Sequence, residues 1–241
     1  MIPYDLKRDK DGLLYLQDED ILRKSTLRID KRGEVDEYYQ QNFYPISTSD
    51  DYIIKYNCTW YTRKEIKRIK EMLANLVYRQ KDIPTVDFPI AYFVHMKSLS
   101  GLIVKYFKDG ISFDNVAKLQ DIEAIGKYYY HDEDNIHNLF MLYEELLNVS
   151  NELFENGVYY TDINQGNVVL NNNQVKLIDF DYRYVLFDRK DFILPFIITN
   201  YFRFVRESLN SLNLYSDVSD CNNYDDAKKY IKKLENTIRK G

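Results

Sequence analysis

The sequence predicts an α+β fold with a β-rich N-terminal half and a helical C-terminal half. Three observations carry that expectation. Up to about residue 56, short β-rich runs alternate with turn-forming clusters. Residues 61–78 then change to a helical period and are followed by two further strand-like runs. From Asp109-Gly110 onward, apolar residues recur at three-and-four spacing over long stretches. The chain has 241 residues, enough for one domain or one fold in two lobes, and 45% apolar residues with only 8 glycines and 5 prolines exclude a disordered or collagenous chain.

In chain order, Ser25-Thr26-Leu27-Arg28-Ile29 and Tyr52-Ile53-Ile54-Lys55-Tyr56 read as strands, with turns at Lys31-Arg32-Gly33-Glu34 and Ser47-Thr48-Ser49-Asp50. Thr62 is expected to cap the first helix with Glu65 in the reciprocal position, since a hydroxyl and a carboxylate at that spacing satisfy two orphaned N–H groups. Ile66, Ile69, Leu73, Leu76 and Val77 make its apolar stripe. Residues 89–94 and 102–107 read as a hairpin turning around Ser98-Leu99-Ser100-Gly101. The clearest helix spans about 136–156, with Leu139, Leu142, Tyr143, Leu146, Leu147, Ser150, Leu153 and Phe154 on one face and Asn156-Gly157 as its stop. Residues 158–160, 167–170 and 175–178 are strand-like, with a turn at Asn171-Asn172-Asn173. Ala227, Tyr230, Ile231, Leu234 and Ile238 mark a closing helix, and no internal repeat is visible.

Charge and cysteine usage narrow the partners. Lys+Arg number 33 against 38 Asp+Glu, a net charge of −5, so no global field gathers a polyanion and nucleic acid is not expected. Cys58 and Cys221 form neither a disulfide framework nor a metal cluster, which suggests a reducing compartment. Residues 1–7 lack the basic-then-apolar pattern of a secretion signal, and the longest apolar run, 192–198, is far short of the roughly 20 residues a membrane span needs. A cytoplasmic protein with no membrane span is the expectation. His95, His131 and His137 show no ligand spacing, and Lys228, Lys229, Lys232 and Lys233 make a helix face that reads as solvated beside Asp225, Asp226 and Glu235.

The stretch richest in chemistry is Tyr160-Thr161-Asp162-Ile163-Asn164-Gln165-Gly166-Asn167-Val168-Val169-Leu170, followed by Val175-Lys176-Leu177-Ile178-Asp179-Phe180-Asp181. An aspartate five positions before an asparagine, then a hairpin whose second strand ends in Asp-Phe, resembles the protein-kinase-like superfamily. The resemblance spans roughly residues 25–205 and is strongest at 158–181. It implies a bilobal protein-kinase-like fold, with 1–106 as a nucleotide-binding N-lobe and 107–241 as a helical C-lobe. It also implies a reaction: ATP with Mg2+ as cofactors, and transfer of the γ-phosphate to a hydroxyl of a protein or a small molecule. Asp162 would orient or deprotonate the acceptor hydroxyl, and Asn167 and Asp179 would give hard oxygen ligands to magnesium. Lys55 would reach the nucleotide phosphates, Glu71 would be its helix partner, and the backbone of Lys105, Tyr106 and Phe107 would meet the adenine edge with Val104 behind it.

The chain also departs from that pattern. No Gly-x-Gly-x-x-Gly precedes Lys55, and Gly33 is the one glycine where a phosphate-covering loop is expected. Tyr160-Thr161 replace the usual His-Arg, which removes a partner for an activation-loop phosphate. Asn164 replaces a lysine that neutralises the γ-phosphate, leaving Lys176, Arg183 or Arg189 to assist. Asp181 replaces the glycine of Asp-Phe-Gly; in an extended segment it would point the same way as Asp179. Asp191 follows after only eleven residues (180 to 190), at the head of a helical run, where it is expected to accept backbone hydrogen bonds from the catalytic loop. So short a segment is closer to aminoglycoside- or choline-kinase-like phosphotransferases. The alternative is a pseudokinase, a nucleotide-binding or protein-interaction scaffold without turnover.

Overall fold

A computed structural model describes residues 3, 5–17, 41–46, 48–57, 61–119, 122, 123, 125, 134–187, 190–214 and 221–240. The strand expected at Ser25–Ile29, the turn with Gly33, Cys58, His131, Arg189 and the side chain of Asp191 lie outside the described residues. The chain is mixed α+β and divides into two units, one of residues 1–81 with 87–108, the other of 82–86 with 109–241. Among the described residues, no helix is long and apolar enough to cross a membrane.

The first unit is a six-stranded sheet with one helix. Its strands are β1 (Lys7–Arg8), β2 (Leu14–Gln17), β3 (Gln41–Ile46), β4 (Ser49–Asn57), β5 (Ala91–His95) and β6 (Ser98–Lys105), in the spatial order β1-β2-β5-β6-β4-β3. All pairs are antiparallel except β2 with β5. Leu16, Ile46, Ile54, Ala91, Phe93 and Ile103 form a core on this sheet, as period-two burial requires. The β5–β6 turn falls at Met96-Lys97, both at positive φ (49° and 63°), two residues before the expected one. Ser98 to Gly101 belong to β6 instead.

Helix α1 (Arg63–Arg79) begins in the expected capping box: the Thr62 hydroxyl accepts from the Glu65 N–H, and the Glu65 carboxylate accepts from the Thr62 N–H at 2.8 Å. Its buried residues are Ile69, Met72, Leu73 and Leu76. Val77, expected in the stripe, is 45% exposed, because the buried arc is centred nearer Met72.

The second unit contains β7 (Ile111–Ser112), α2 (Phe113–Leu119), α3 (Asn135–Glu155), β8 (Tyr159–Tyr160), a 3₁₀ turn (Gln165–Asn167), β9 (Val168–Asn171), β10 (Gln174–Leu177), β11 (Val185–Leu186), α4 (Lys190–Ser211) and α5 (Tyr224–Ile238). All eight residues expected on the inner face of α3 are buried. The helix stops as Asn156-Gly157 predicts: Gly157 has φ 71°, its N–H meets the Phe154 carbonyl at 3.0 Å, and the Val158 N–H meets Leu153 at 2.9 Å. The hairpin β9–β10 turns on Asn172-Asn173, both left-handed, with Asn171 facing Gln174. Phe113 packs on Phe204 (5.2 Å between ring centres) and Tyr143 on Phe204 (6.1 Å), tying α2, α3 and α4 beneath the hairpin.

Candidate functional site

In the second unit, β8 leads into a loop in which Asp162, Asn164 and Asn167 bond one another. Asparagine side chains readily bond backbone groups two residues away, and Asn164 does so, its Oδ1 accepting from the Gly166 N–H at 3.0 Å to start the 3₁₀ turn. That fixes its nitrogen, which donates to Asp162 Oδ1 at 2.9 Å and to the Asp162 carbonyl at 3.2 Å. From the other end of the turn, Asn167 Nδ2 donates to Asp162 Oδ2 at 2.8 Å and to the same carbonyl at 3.0 Å. Each oxygen of the Asp162 carboxylate is thus held by one neutral amide. Among the described residues, no lysine, arginine or histidine forms an ion pair with it.

The hairpin brings the Asp179 segment to this loop. At the end of β10, the Ile178 N–H donates to the Asn167 carbonyl at 3.0 Å. Asp179 follows at φ 68°, a left-handed conformation that a non-glycine residue adopts at a cost of roughly 1 kcal/mol or more and that clusters at functional sites. The expectation that Asp179 and Asp181 share one face of an extended segment fails here, because the chain turns at Asp179.

Underneath lies Tyr160, fully buried, its ring 4.8 Å from that of Phe180 and its hydroxyl donating to the Ile178 carbonyl at 3.0 Å. Burial pushes this hydroxyl's pKa far up, and the negative charges of Asp179, Asp162 and Asp181 push it further. Three carboxylates acting on one buried hydroxyl share one neighbourhood.

The third of them is already neutralised. Arg183 donates from Nε to Asp181 Oδ1 at 2.9 Å and from Nη2 to Oδ2 at 2.8 Å, so Asp181 is committed to an arginine and is not an open metal ligand. Of the two further candidates for the missing lysine's task, Arg189 lies outside the described residues and Lys176 reaches the Thr85 carbonyl at 3.1 Å. Neither Arg183 nor Lys176 bonds Asp162. Asn200, a buried side chain of α4, donates to the Thr161 carbonyl at 2.7 Å and braces the loop. Sequence reasoning missed it; its signal is an asparagine inside the apolar run Ile197-Ile198-Thr199-Asn200-Tyr201.

For a cation, the donor set is hard oxygen. The Asp179 carboxylate supplies charge. With the Asn167 nitrogen committed to Asp162, the amide oxygen faces away from that carboxylate. Among the described residues, no group of three or more His, Cys, Asp and Glu side chains is arranged to hold a metal.

In the first unit, Lys55 lies on β4, facing Phe43 of β3 and Leu102 of β6, and is only 8% exposed. The strands approach so closely there that a Cβ on Gly101 would sit 2.3 Å from the Lys55 carbonyl oxygen, which explains a glycine in the middle of β6. Glu71 does not pair with Lys55. It stands on the solvated face of α1, its side chain 60% exposed, 3.6 Å from Lys67 one turn earlier. The neighbouring residue Lys70 turns inward instead, to Asp9.

At the end of β6, the Tyr106 N–H is spent on the Asp51 carbonyl at 2.8 Å, so it is not available to a base. Strand alternation turns the Lys105 backbone to the opposite side, the side on which the Ile103 carbonyl accepts from Ile90 and beyond the last β5 partner. The Lys105 side chain lies over the Tyr52 ring at 5.1 Å, and Val104 and Phe107 are half-buried. No protein-family model matches the chain, and no curated protein matches its sequence.

Proposed function

We propose that this protein is a kinase-like phosphotransferase that uses ATP and Mg2+ and moves the γ-phosphate to a hydroxyl of a protein Ser/Thr or a small molecule. The observation that carries the reading is the Asp162 carboxylate, gripped by the Asn164 and Asn167 amides, without a cation of its own, and wired through the Asn167 carbonyl to the Asp179 segment. A carboxylate held by two neutral donors has a fixed aim and no cation competing for its oxygens, which suits a group that orients a hydroxyl and accepts its proton. Magnesium, when bound, would offset the charge that develops on the phosphates. Asn167 and Asp179 are the residues that would hold it, and Lys55 is the lysine that the resemblance implies for the nucleotide phosphates. Phe180 packed on Tyr160 and the left-handed Asp179 support this reading, since they hold the backbone from which the Asp179 carboxylate projects.

A second reading, a pseudokinase that binds nucleotide as a scaffold, is favoured by Asn164, which fills the place of a cation and spends its amide on Asp162. One assay separates them. On incubation with Mg-ATP and a panel of hydroxyl acceptors, the phosphotransferase releases ADP and labels an acceptor, and Asp179→Ala abolishes both. Turnover unaffected by Asp179→Ala overturns the metal role. Thermal stabilisation by ATP with no product from any acceptor selects the scaffold.

A further inference from the structure

Arg183 carries more donors than the ion pair uses. Its Nε and Nη2 form a side-on fork with Asp181, and its own backbone N–H also donates to Asp181 Oδ1 at 2.9 Å, so the side chain is locked over its own turn. A guanidinium has five N–H donors, and the side-on fork leaves the Nη1–Nη2 edge. Among the described residues, no acceptor meets that edge, and the side chain is 55% exposed. The rings of Tyr182 and Tyr184 flank it, 5.9 and 5.6 Å from the guanidinium carbon, and hold its plane. The same turn is fastened to the chain entering Asp162: the Thr161 N–H and hydroxyl both donate to the Tyr184 carbonyl, at 2.9 and 3.0 Å, and β11 pairs with β8.

The geometry points to an anion-binding edge on Arg183 that selects the acceptor: the molecule whose hydroxyl meets Asp162 also bears a phosphate or carboxylate, received end-on by Nη1 and Nη2. This rests on the phosphotransferase reading for its purpose, but not for its test. A planar fork already fixed by Asp181 loses little side-chain freedom when it binds a second oxyanion, and paired charge-assisted hydrogen bonds are the strong kind. The attachment of this turn to Thr161, directly before Asp162, assigns the edge to the acceptor rather than to the nucleotide.

The test is calorimetric titration of the full chain, without nucleotide, by sn-glycerol 3-phosphate, glycerate, glycerol and inorganic phosphate. The wild type is expected to bind an anionic probe at least about tenfold more tightly than glycerol. Arg183→Lys keeps the charge that answers Asp181 but lacks the fork, and is expected to lose that preference. Arg183→Gln should lose it as well; circular dichroism shows whether that variant remains folded, and the lysine variant decides if it does not. Equal binding by wild type and Arg183→Lys, or no binding of any anion by the wild type, overturns the proposal. So does a variant that binds glycerol 3-phosphate normally but Mg-ATP weakly, since the edge would then serve the nucleotide. Absence of ADP release would overturn the phosphotransferase reading while leaving this titration interpretable.

Discussion

Two aspartates, one in each unit, are held by the same number of side chains and to opposite effect. Asp9 accepts from Lys70 Nζ at 2.6 Å and the Tyr92 hydroxyl at 2.8 Å, and two backbone N–H groups, of Asp11 and Leu13, complete the set. Asp162 accepts from two asparagine amides and no cation. At Asp9 the negative charge is cancelled where it stands, and the result joins the turn before β2 to α1 and β5. At Asp162 the charge is aimed but left uncancelled, beside Asp179 and a buried tyrosine. The first arrangement is what stability favours, since a partly buried carboxylate needs its counter-charge. The second leaves the Asp162 carboxylate to two neutral donors, and that difference is what the proposed role of Asp162 rests on.

The comparison is sharpest in Asp162→Ala. ADP release is expected to fall by about 10²–10⁴-fold, the usual worth of a positioned proton acceptor. Stability should shift by only about 1 kcal/mol, because the Asn164 and Asn167 amides keep their bonds to the residue 162 backbone carbonyl when the carboxylate is removed. A large drop in the denaturation midpoint together with intact turnover would put Asp162 in the same class as Asp9. The next largest effect belongs to Gly101→Ala. Its Cβ would meet the Lys55 carbonyl at 2.3 Å, so the strands must part, at a cost of about 1–3 kcal/mol. Weaker ATP binding should accompany the lower melting temperature; unchanged affinity would detach Lys55 from the nucleotide.

Much of this was legible in the sequence, and the failures share a cause. The capping box at Thr62 and Glu65 and the Gly157 stop could be read because each is a local rule, satisfied by residues within a few positions. The polar break between the strand-like runs 158–160 and 167–170 was legible in the same way, but the bonds of Asn164 and Asn167 to Asp162 within it were not. Glu71 was misplaced because its role depended on helix phase, and the arc centred on Met72 turns Lys70 inward and Glu71 out. Gly101 was read as a turn because glycine usually marks one; its real reason, a carbonyl on the next strand, is non-local. The parallel pairing of β2 with β5 and the Arg183 fork likewise depend on partners that no spacing announces.

Asp9 supplies the third prediction. Burial works to raise its pKa, but Lys70, Tyr92 and the two backbone donors outweigh burial and bring it from 3.8 down to about 2. A folded-state pKa below the unfolded value stabilises the protein above about pH 4, and that contribution drains away as pH falls toward 2. Asp9→Asn should therefore cost up to about 2 kcal/mol at pH 7, less whatever solvent screening removes, and nearly nothing at pH 2, with turnover unchanged. Equal destabilisation at both pH values would mean that shape, not charge, holds the knot.

The smallest effect compares the two hairpin turns. Both place two non-glycine residues in the left-handed region: Met96-Lys97 at φ 49° and 63° in the first unit, Asn172-Asn173 at 49° and 60° in the second. Such turns match the right-handed twist of the strands, and their second position favours glycine. Asparagine tolerates that conformation far better than lysine does, so the strain relieved by glycine differs between them. Against it stands the extra freedom that glycine gives the unfolded chain. Lys97→Gly is expected to raise the urea midpoint by an amount equivalent to about 1 kcal/mol, and Asn173→Gly by less than about half of that. The pair also probes the site: the Asn173 hairpin joins the strand leaving Asn167 to the strand leading to Asp179, so a turn that serves only as a rigid connector leaves ADP release unaltered when it is stabilised. A rise in stability at Asn173 with a fall in turnover would show that the strain of this hairpin is used at Asp179.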